Sequence, residues 1–156
     1  MSELLNISSE STMFYKLDVS KESEWIRCVD EAVKKWGRLD IVVNNAGIAM
    51  GGPLRYLDIE IYKKQFDVNF FGLINVTKAF LDLLNISNTH PLKNKIINIG
   101  SMMSIFGSAY ASAYAASKGG VVQYTKSCAI AWAKYNVQVN AILPGWIVTD
   151  MTDDFG

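Results

Sequence analysis

Two kinds of hydrophobic pattern alternate along the chain. Apolar runs of about four to eight residues are typical of strands, and apolar residues three or four positions apart are typical of one face of a helix. The short runs, which we predict as strands, lie at 12–18, 39–43, 95–100 and 137–143. The helical patterns lie at 20–36, 58–84 and 112–135. Strands and helices therefore alternate, which is typical of a doubly wound α/β domain with a parallel sheet.

Residues at the boundaries of these segments support the prediction. Ser20 and Asp58 stand where a helix N-cap is expected, because a side-chain oxygen there accepts from an exposed backbone N–H. Gly37 predicts the end of the first helix. The continuous apolar run at 39–43 indicates a strand that is covered on both faces. Because the sequence shows no internal repeat and no low-complexity linker, we expect a single domain over 1–156.

Composition and charge narrow the classes of function. Fifteen basic and fifteen acidic side chains are interspersed without runs, which disfavours nucleic acid or an anionic membrane as a partner. The apolar stretches are shorter than the ~20 residues of a membrane-spanning helix, and the start of the chain lacks the features of a signal peptide. Cys28 and Cys128 suggest neither a disulfide framework nor a metal site, so a reducing cytoplasm is the expected compartment. The single histidine, His90, gives no reason to expect metal catalysis.

Candidate chemistry is concentrated at the third predicted strand and the helix after it. Tyr114 and Lys118 are four residues apart and share one helix face. The pKa of a tyrosine hydroxyl is about 10 in water, and a neighbouring ammonium would lower that pKa toward the range of a general acid or base. Ser101, at the end of the strand, would hold a carbonyl or alcohol oxygen together with the Tyr114 hydroxyl. Taken alone, the Tyr114–Lys118 spacing is more often that of an exposed surface pair.

Turn-forming residues follow two other strands at the same edge of the predicted sheet. Asn44-Asn45-Ala46-Gly47 comes directly after the second strand, and Pro144-Gly145 ends the last one. Small residues at the carboxyl ends of strands let a ligand approach the backbone, and open α/β sheets bind their ligands there. Asn69 lies inside the predicted helix at 58–84, where asparagine lowers helix propensity. It is therefore either a tolerated surface residue or a polar group with a task.

Together these residues resemble the short-chain dehydrogenase/reductase family, whose fold is a Rossmann-type parallel sheet that binds NAD(P). The resemblance covers nearly the whole chain. The residues that match the family's Asn-Ser-Tyr-Lys catalytic tetrad are Asn69, Ser101, Tyr114 and Lys118. The residues that match its cofactor-binding positions are Asp18, Asn45, Ala46, Gly47, Tyr114, Lys118, Pro144, Gly145 and Thr149. Alternatives stay open for Asp18, as a cap of the next turn, and for Thr149, as an ordinary loop residue.

The resemblance implies hydride transfer between NAD or NADP and a small carbonyl or alcohol substrate. It implies that Ser101 and Tyr114 hold the substrate oxygen and that Tyr114 exchanges the proton. It further implies that Lys118 lowers the pKa of that tyrosine and binds the nicotinamide ribose, while Asn69 anchors a water that restores the proton. The choice between NAD and NADP is not readable. A homodimer or homotetramer through the helices around Asn69 and at 112–135 is expected.

The sequence departs from the family pattern at both ends. No glycine precedes Gly37, so the Gly-rich turn that binds the cofactor pyrophosphate has no counterpart before the Asn44 motif. We therefore expect an incomplete sheet, without the first βαβ unit and the last strand, and with a gap of roughly 14 Å between the strands at 12–18 and 39–43. Two hypotheses follow. The chain is a dehydrogenase by family function, or it is an inactive truncated fragment that at most associates with other subunits.

Overall fold

Three parallel strands form a single sheet in the structure, a computed structural model that describes residues 11–86 and 94–148. Their bounds are Ile41–Asn44 for β1, Lys95–Ile99 for β2 and Gln138–Ile142 for β3, and they lie in the order β1-β2-β3. Val42 pairs with Ile96, which in turn pairs with Val139. Because all three strands run the same way, their carboxyl ends meet at one edge of the sheet.

Helices connect the strands, as the hydrophobic spacing predicts. Before β1 lies α1, Glu22–Trp36. Between β1 and β2 lie a 3-10 turn at Leu54–Tyr56, α2 at Ile59–Phe66, a π-helical segment at Asp67–Gly72 and α3 at Leu73–Ile86. Between β2 and β3 lie α4 at Met103–Phe106, α5 at Ser112–Trp132 and a 3-10 turn at Ala133–Tyr135. Across the described ranges, none of these helices is long and apolar enough to cross a membrane. The α/β class with an incomplete parallel sheet is confirmed.

Two of the three predicted helix boundaries are also confirmed. The Asp58 side chain accepts a 3.0 Å hydrogen bond from the Glu60 backbone N–H, as an N-cap does. Gly37 ends α1 with φ at 65°, a left-handed conformation that favours glycine. The third prediction is wrong, because α1 begins one residue later than expected and Ser20 donates its hydroxyl to Asp18 instead of capping the helix.

The predicted strand at 12–18 is not formed. These residues have no regular secondary structure, and β1 is the outer strand of the sheet in the part of the chain that the structure describes. A strand requires a neighbour for its backbone hydrogen bonds, and a favourable hydrophobic pattern does not provide that neighbour. The expected gap between 12–18 and 39–43 is wrong for the same reason, since only the second of those segments is a strand.

The hydrophobic core lies on one face of the sheet. Its buried members are Val42, Val76, Leu84, Ile96, Cys128, Val137 and Val139. On the opposite face Ile41, Val43 and Ile142 are about half exposed. The prediction that residues 39–43 are covered on both faces is therefore wrong. A continuous apolar run indicates that both faces of a strand carry apolar side chains. It does not show that a helix covers each face.

Candidate active site

A cleft of about 470 Å³ opens at the carboxyl edge of the sheet. The loops after β2 and β3, the start of α5 and the segment after β1 form its walls. The residues that line it are Ala49, Ile99, Gly100, Ser101, Met102, Met103, Ser108, Tyr110, Ala111, Tyr114, Lys118, Pro144, Gly145, Trp146 and Ile147. Three of the four predicted tetrad residues, Ser101, Tyr114 and Lys118, therefore share one cleft.

Lys118 is a buried cation at the floor of this cleft. Its side chain is only 4% exposed, and its Nζ donates a 2.7 Å hydrogen bond to the Ile99 carbonyl. Burial lowers the pKa of Lys118 to about 8, so the ammonium is still mostly protonated at neutral pH. An ammonium has three donors, and the Ile99 carbonyl accepts one of them. Lys118 is thus oriented by the end of β2 while keeping donors for a ligand.

The side chains of Ser101 and Tyr114 lie close together in the cleft. Burial raises the pKa of Tyr114, and the neighbouring Ser101 hydroxyl lowers that pKa by less. The sequence predicts that Lys118 lowers this pKa. The structure differs because burial, which disfavours the phenolate, is the largest influence on Tyr114, although the Lys118 Nζ lies 5.8 Å from the centre of its ring. In this structure Tyr114 is therefore a protonated donor at neutral pH.

Ser104 connects the Ser101 turn to α5. Its hydroxyl accepts a hydrogen bond from the Ser101 backbone N–H and donates one of 2.9 Å to the Lys118 carbonyl. The Ser101 hydroxyl in turn accepts from the Met103 backbone N–H at 3.2 Å. Ser104 was not predicted from the sequence; the available signal is its position three residues after Ser101, because serine hydroxyls bond to backbone groups a few residues away. These contacts fix the turn that carries Ser101 against the helix that carries Lys118.

Asn69 lies in the π-helical segment with its side chain 1% exposed, so it is a polar group with a task. Its amide oxygen accepts from the Ile48 N–H at 2.8 Å, and its amide nitrogen donates to the Ile48 carbonyl at 2.9 Å. The same nitrogen donates to the Ser117 hydroxyl at 3.0 Å. Asn69 therefore joins the segment after β1 to α5. The water that the family resemblance assigns to Asn69 stays a prediction.

Gln65 repeats the arrangement one helical turn earlier. It is fully buried, its amide oxygen accepts from the Met50 N–H at 3.0 Å, and its amide nitrogen donates to the Met50 carbonyl at 3.1 Å. Further along the same segment, the Gly52 N–H donates a 2.8 Å hydrogen bond to the Tyr110 carbonyl. Gln65 was not predicted from the sequence; the available signal is its position four residues before Asn69, on the same helix face.

The turn after β1 brings its glycine against the side chains of Lys118 and Asn69. A Cβ atom at Gly47 would lie 3.3 Å from the Lys118 Nζ and 3.4 Å from the Asn69 Oδ1, so a side chain there would press on both. Asn44 donates its amide to Thr77 and to Asn98. Those bonds fix the end of β1 to α3 and to β2. The next two residues of the motif, Asn45 and Ala46, are exposed.

The remaining predicted cofactor residues have different surroundings. Pro144 and Gly145 line the cleft, and the Pro144 carbonyl accepts from the Met102 N–H at 2.9 Å. Asp18 does not line it. Its carboxylate accepts hydrogen bonds from the backbone N–H and the hydroxyl of Ser20, and these bonds lower the pKa of Asp18. This geometry is that of the capping alternative, and an adenine contact stays a prediction. Thr149 lies outside the described residues.

The cleft suits the nicotinamide-ribose end of a dinucleotide. A buried ammonium with donors to spare matches ribose hydroxyls, which accept hydrogen bonds. The space beside Gly145 is open, since a Cβ there would meet no atom within 4 Å. The site also lies at the carboxyl ends of parallel strands, where open α/β sheets bind their ligands. The residues present therefore fit this part of NAD or NADP.

Comparisons with known proteins agree with this geometry. The family model described as "short chain dehydrogenase" matches residues 1–156. The chain is 38% identical over 145 residues to a 2-dehydro-3-deoxy-D-gluconate 5-dehydrogenase of Formosa agariphila, covering 88% of this chain and 51% of that protein. It is 36% identical over 139 residues to a cyclopentanol dehydrogenase of a Comamonas species, covering 89% and 54%.

A solved structure gives the same result for the fold. The chain superimposes with a TM-score of 0.82 and 32% identity on a gluconate 5-dehydrogenase of Burkholderia cenocepacia in complex with NADP and tartrate, covering 88% of this chain and 52% of that one. The chain thus spans about half the length of the relatives that it matches.

Proposed function

We propose, because this chain belongs to the short-chain dehydrogenase family, that its cleft carries out hydride transfer between NAD or NADP and a small carbonyl or alcohol substrate. One observation supports this most strongly. The hydroxyl pair of Ser101 and Tyr114 shares a cleft with the Lys118 ammonium, whose Nζ lies 5.8 Å from the centre of the tyrosine ring. The bound cofactor would supply or accept the hydride.

Ser101 and Tyr114 would hold the oxygen of the reacting carbon. In the direction of reduction, both hydroxyls donate hydrogen bonds to the carbonyl oxygen and so stabilise the charge that develops on it. Tyr114 then gives its proton to that oxygen as the alcohol forms. The burial that raises the pKa of Tyr114 keeps it protonated before the reaction, as a general acid requires.

Lys118 and Asn69 would position this pair and its proton supply. Lys118, oriented by the Ile99 carbonyl, directs its remaining donors toward the nicotinamide ribose. Asn69 keeps Ile48 in place, and with it the Gly47 backbone that lies against the Lys118 ammonium. The proton-restoring water belongs beside Asn69 under this proposal. Asp18, Asn45, Ala46, Gly47, Pro144, Gly145 and Thr149 are the other proposed cofactor contacts.

Assembly and compartment complete the proposal. We expect a homodimer or homotetramer through the surface of α5 and the helical segment around Asn69, in the cytoplasm. Ile130 on α5 is 81% exposed and Phe71 on the π-helical segment is 50% exposed, and both are apolar groups that a subunit contact would cover.

The variant Tyr114→Phe tests the proposal. It removes the proton donor and keeps the ring, so turnover should fall about 10²- to 10⁴-fold while cofactor affinity changes little. Reduction of a panel of ketones is followed by the loss of NADH or NADPH absorbance. Tyr135→Phe, outside the cleft, is the matched control and should keep wild-type turnover. Wild-type turnover in Tyr114→Phe would refute the assignment, and a folded wild-type chain without turnover or cofactor binding would favour the inactive-fragment hypothesis.

A further inference from the structure

The charge pattern of the cleft carries information about its substrate. Lys118 is the one charged side chain among the described residues that line it. From this pattern we infer that the cleft takes a neutral, largely apolar ketone or secondary alcohol, and that it discriminates against carboxylate-bearing substrates such as sugar acids. The inference rests on the function proposed above and adds the class of substrate to it.

The single cation is not placed to serve a substrate carboxylate. The Lys118 Nζ is buried at the floor of the cleft, bonded to the Ile99 carbonyl and close to the Tyr114 ring face. A carboxylate that reached it would displace the reacting oxygen from the Ser101 and Tyr114 hydroxyls. Among the described residues that line the cleft, a substrate carboxylate would therefore find no second cation with which to pair.

The upper walls are apolar and incompletely covered. Met102 is 38% exposed, Trp146 55% and Ile147 59%, although each lines the cleft. Covering such side chains with an apolar ligand is favourable, by about 25 cal/mol for each Å² removed from water. Desolvating an unpaired carboxylate against the same walls is strongly unfavourable. The two effects act in the same direction and favour a neutral ligand.

One wall is too rigid to rearrange around a charge. Ala49 lines the cleft between Ile48 and Met50, whose backbone N–H and carbonyl groups are paired with the buried amides of Asn69 and Gln65. Turning a backbone N–H of this segment toward a carboxylate would break one of these buried pairs. The backbone N–H groups of Ile48 and Met50 are therefore committed to buried amides and are not available to a carboxylate.

A matched pair of ketones tests the inference without requiring turnover. Cyclohexanone and 4-oxocyclohexanecarboxylate share the ring and the carbonyl, and they differ in one carboxylate. Each is titrated into the 15N-labelled full chain while the backbone amide shifts of Ser101, Met102, Tyr110 and Gly145 are followed. We expect cyclohexanone to shift these amides and to bind about tenfold or more tightly than the acid.

Substitution of one wall residue tests the cause. Met102→Lys adds a cation beside the cleft and should raise affinity for the acid about tenfold, whereas Met102→Gln, of similar length but neutral, should not. Ile147→Lys is a second variant on another loop, should Met102→Lys fail to fold. Equal or tighter binding of the acid by the wild type, shifts from neither ketone at these amides, or no gain from a folded lysine variant would each overturn the inference. Because binding is read without hydride transfer, the two failures are distinguishable: a failed ketone reduction would count against the proposed function, and a failed binding preference would count against this inference.

Discussion

The carboxyl edge of the sheet and the region around α1 differ in how well their buried polar groups are paired. At the carboxyl edge the amides of Gln65 and Asn69 are almost fully buried, and each bonds to both backbone groups of another residue. Elsewhere three buried side-chain atoms have no hydrogen-bond partner within the described protein. They are Thr12 Oγ1, Trp25 Nε1 and Asn94 Oδ1, and none belongs to a cleft residue.

The same contrast appears in the apolar side chains. Ile96 on the helix-covered face of the sheet is fully buried, whereas Ile41 and Val43 on the opposite face are 50% and 57% exposed. Contacts within the described chain therefore pair the buried amides at the carboxyl edge and leave the opposite face of the sheet about half exposed. We infer from this difference that the candidate site depends on a small part of the fold, which consists of three strand ends, α5 and the π-helical segment.

The largest stability effect is expected at the amide pairs. Gln65→Leu keeps the volume but leaves the Met50 N–H and carbonyl unpaired, so the free energy of unfolding should fall by about 2–3 kcal/mol. Gln123→Leu, on the exposed face of α5, is the matched control and should change it by less than about 0.5 kcal/mol. Urea denaturation followed by circular dichroism measures both. Equal losses of unfolding free energy in the two variants would show that the buried amide of Gln65 contributes no more to stability than an exposed glutamine does.

A pH-dependent effect of intermediate size is expected from Lys118. Its folded pKa of about 8 lies below the ordinary value of 10.5, so between these values the unfolded chain binds the proton more strongly. The stability of the wild type relative to Lys118→Met should therefore rise by about 2 kcal/mol between about pH 7 and about pH 9.5. Denaturation of both proteins across that interval checks the sign. If the stability of the wild type relative to Lys118→Met instead fell over this pH interval, the folded protein would stabilise the charged form of Lys118.

The smallest effect is expected on the uncovered face of β1. Ile41→Thr keeps a β-branched side chain at a half-exposed position, so its effect should be within about 0.5 kcal/mol. Ile96→Thr places a hydroxyl in the core and should cost about 2 kcal/mol or more. Thermal melts of the two variants give the comparison. A large loss from Ile41→Thr would mean that this face is covered in solution.

The sequence predicted best what local chemistry determines. Gly37 and Asp58 mark helix ends because their backbone and side-chain preferences act within one turn, and the structure agrees at both. The prediction of a strand at 12–18 is wrong because a strand requires a neighbouring strand, and a local sequence pattern does not show whether one is present. The prediction of a lowered pKa for Tyr114 is wrong because helical spacing places Lys118 near the ring but does not show that the tyrosine is buried, and burial raises the pKa.

The polar partners inside the fold were the hardest to predict. The sequence allows two interpretations of Asn69 and gives no clear signal for Gln65, because a buried amide and an exposed one look alike in sequence. Their partners, Ile48 and Met50, contribute backbone atoms, which carry no sequence signal. The distinguishing feature is geometric: two amides one helical turn apart meet alternate residues of an extended segment.

The most direct test of the central claim, that these residues form a nicotinamide site around Lys118, is a titration of the 156-residue chain with NADH and then with NADPH. Energy transfer from its four tryptophans to the bound nicotinamide reports binding. We expect micromolar saturation with one or both cofactors by the wild type and a large loss of affinity in Lys118→Met. A folded wild-type chain that shows no saturable transfer, or a variant that binds as tightly as the wild type, would contradict it.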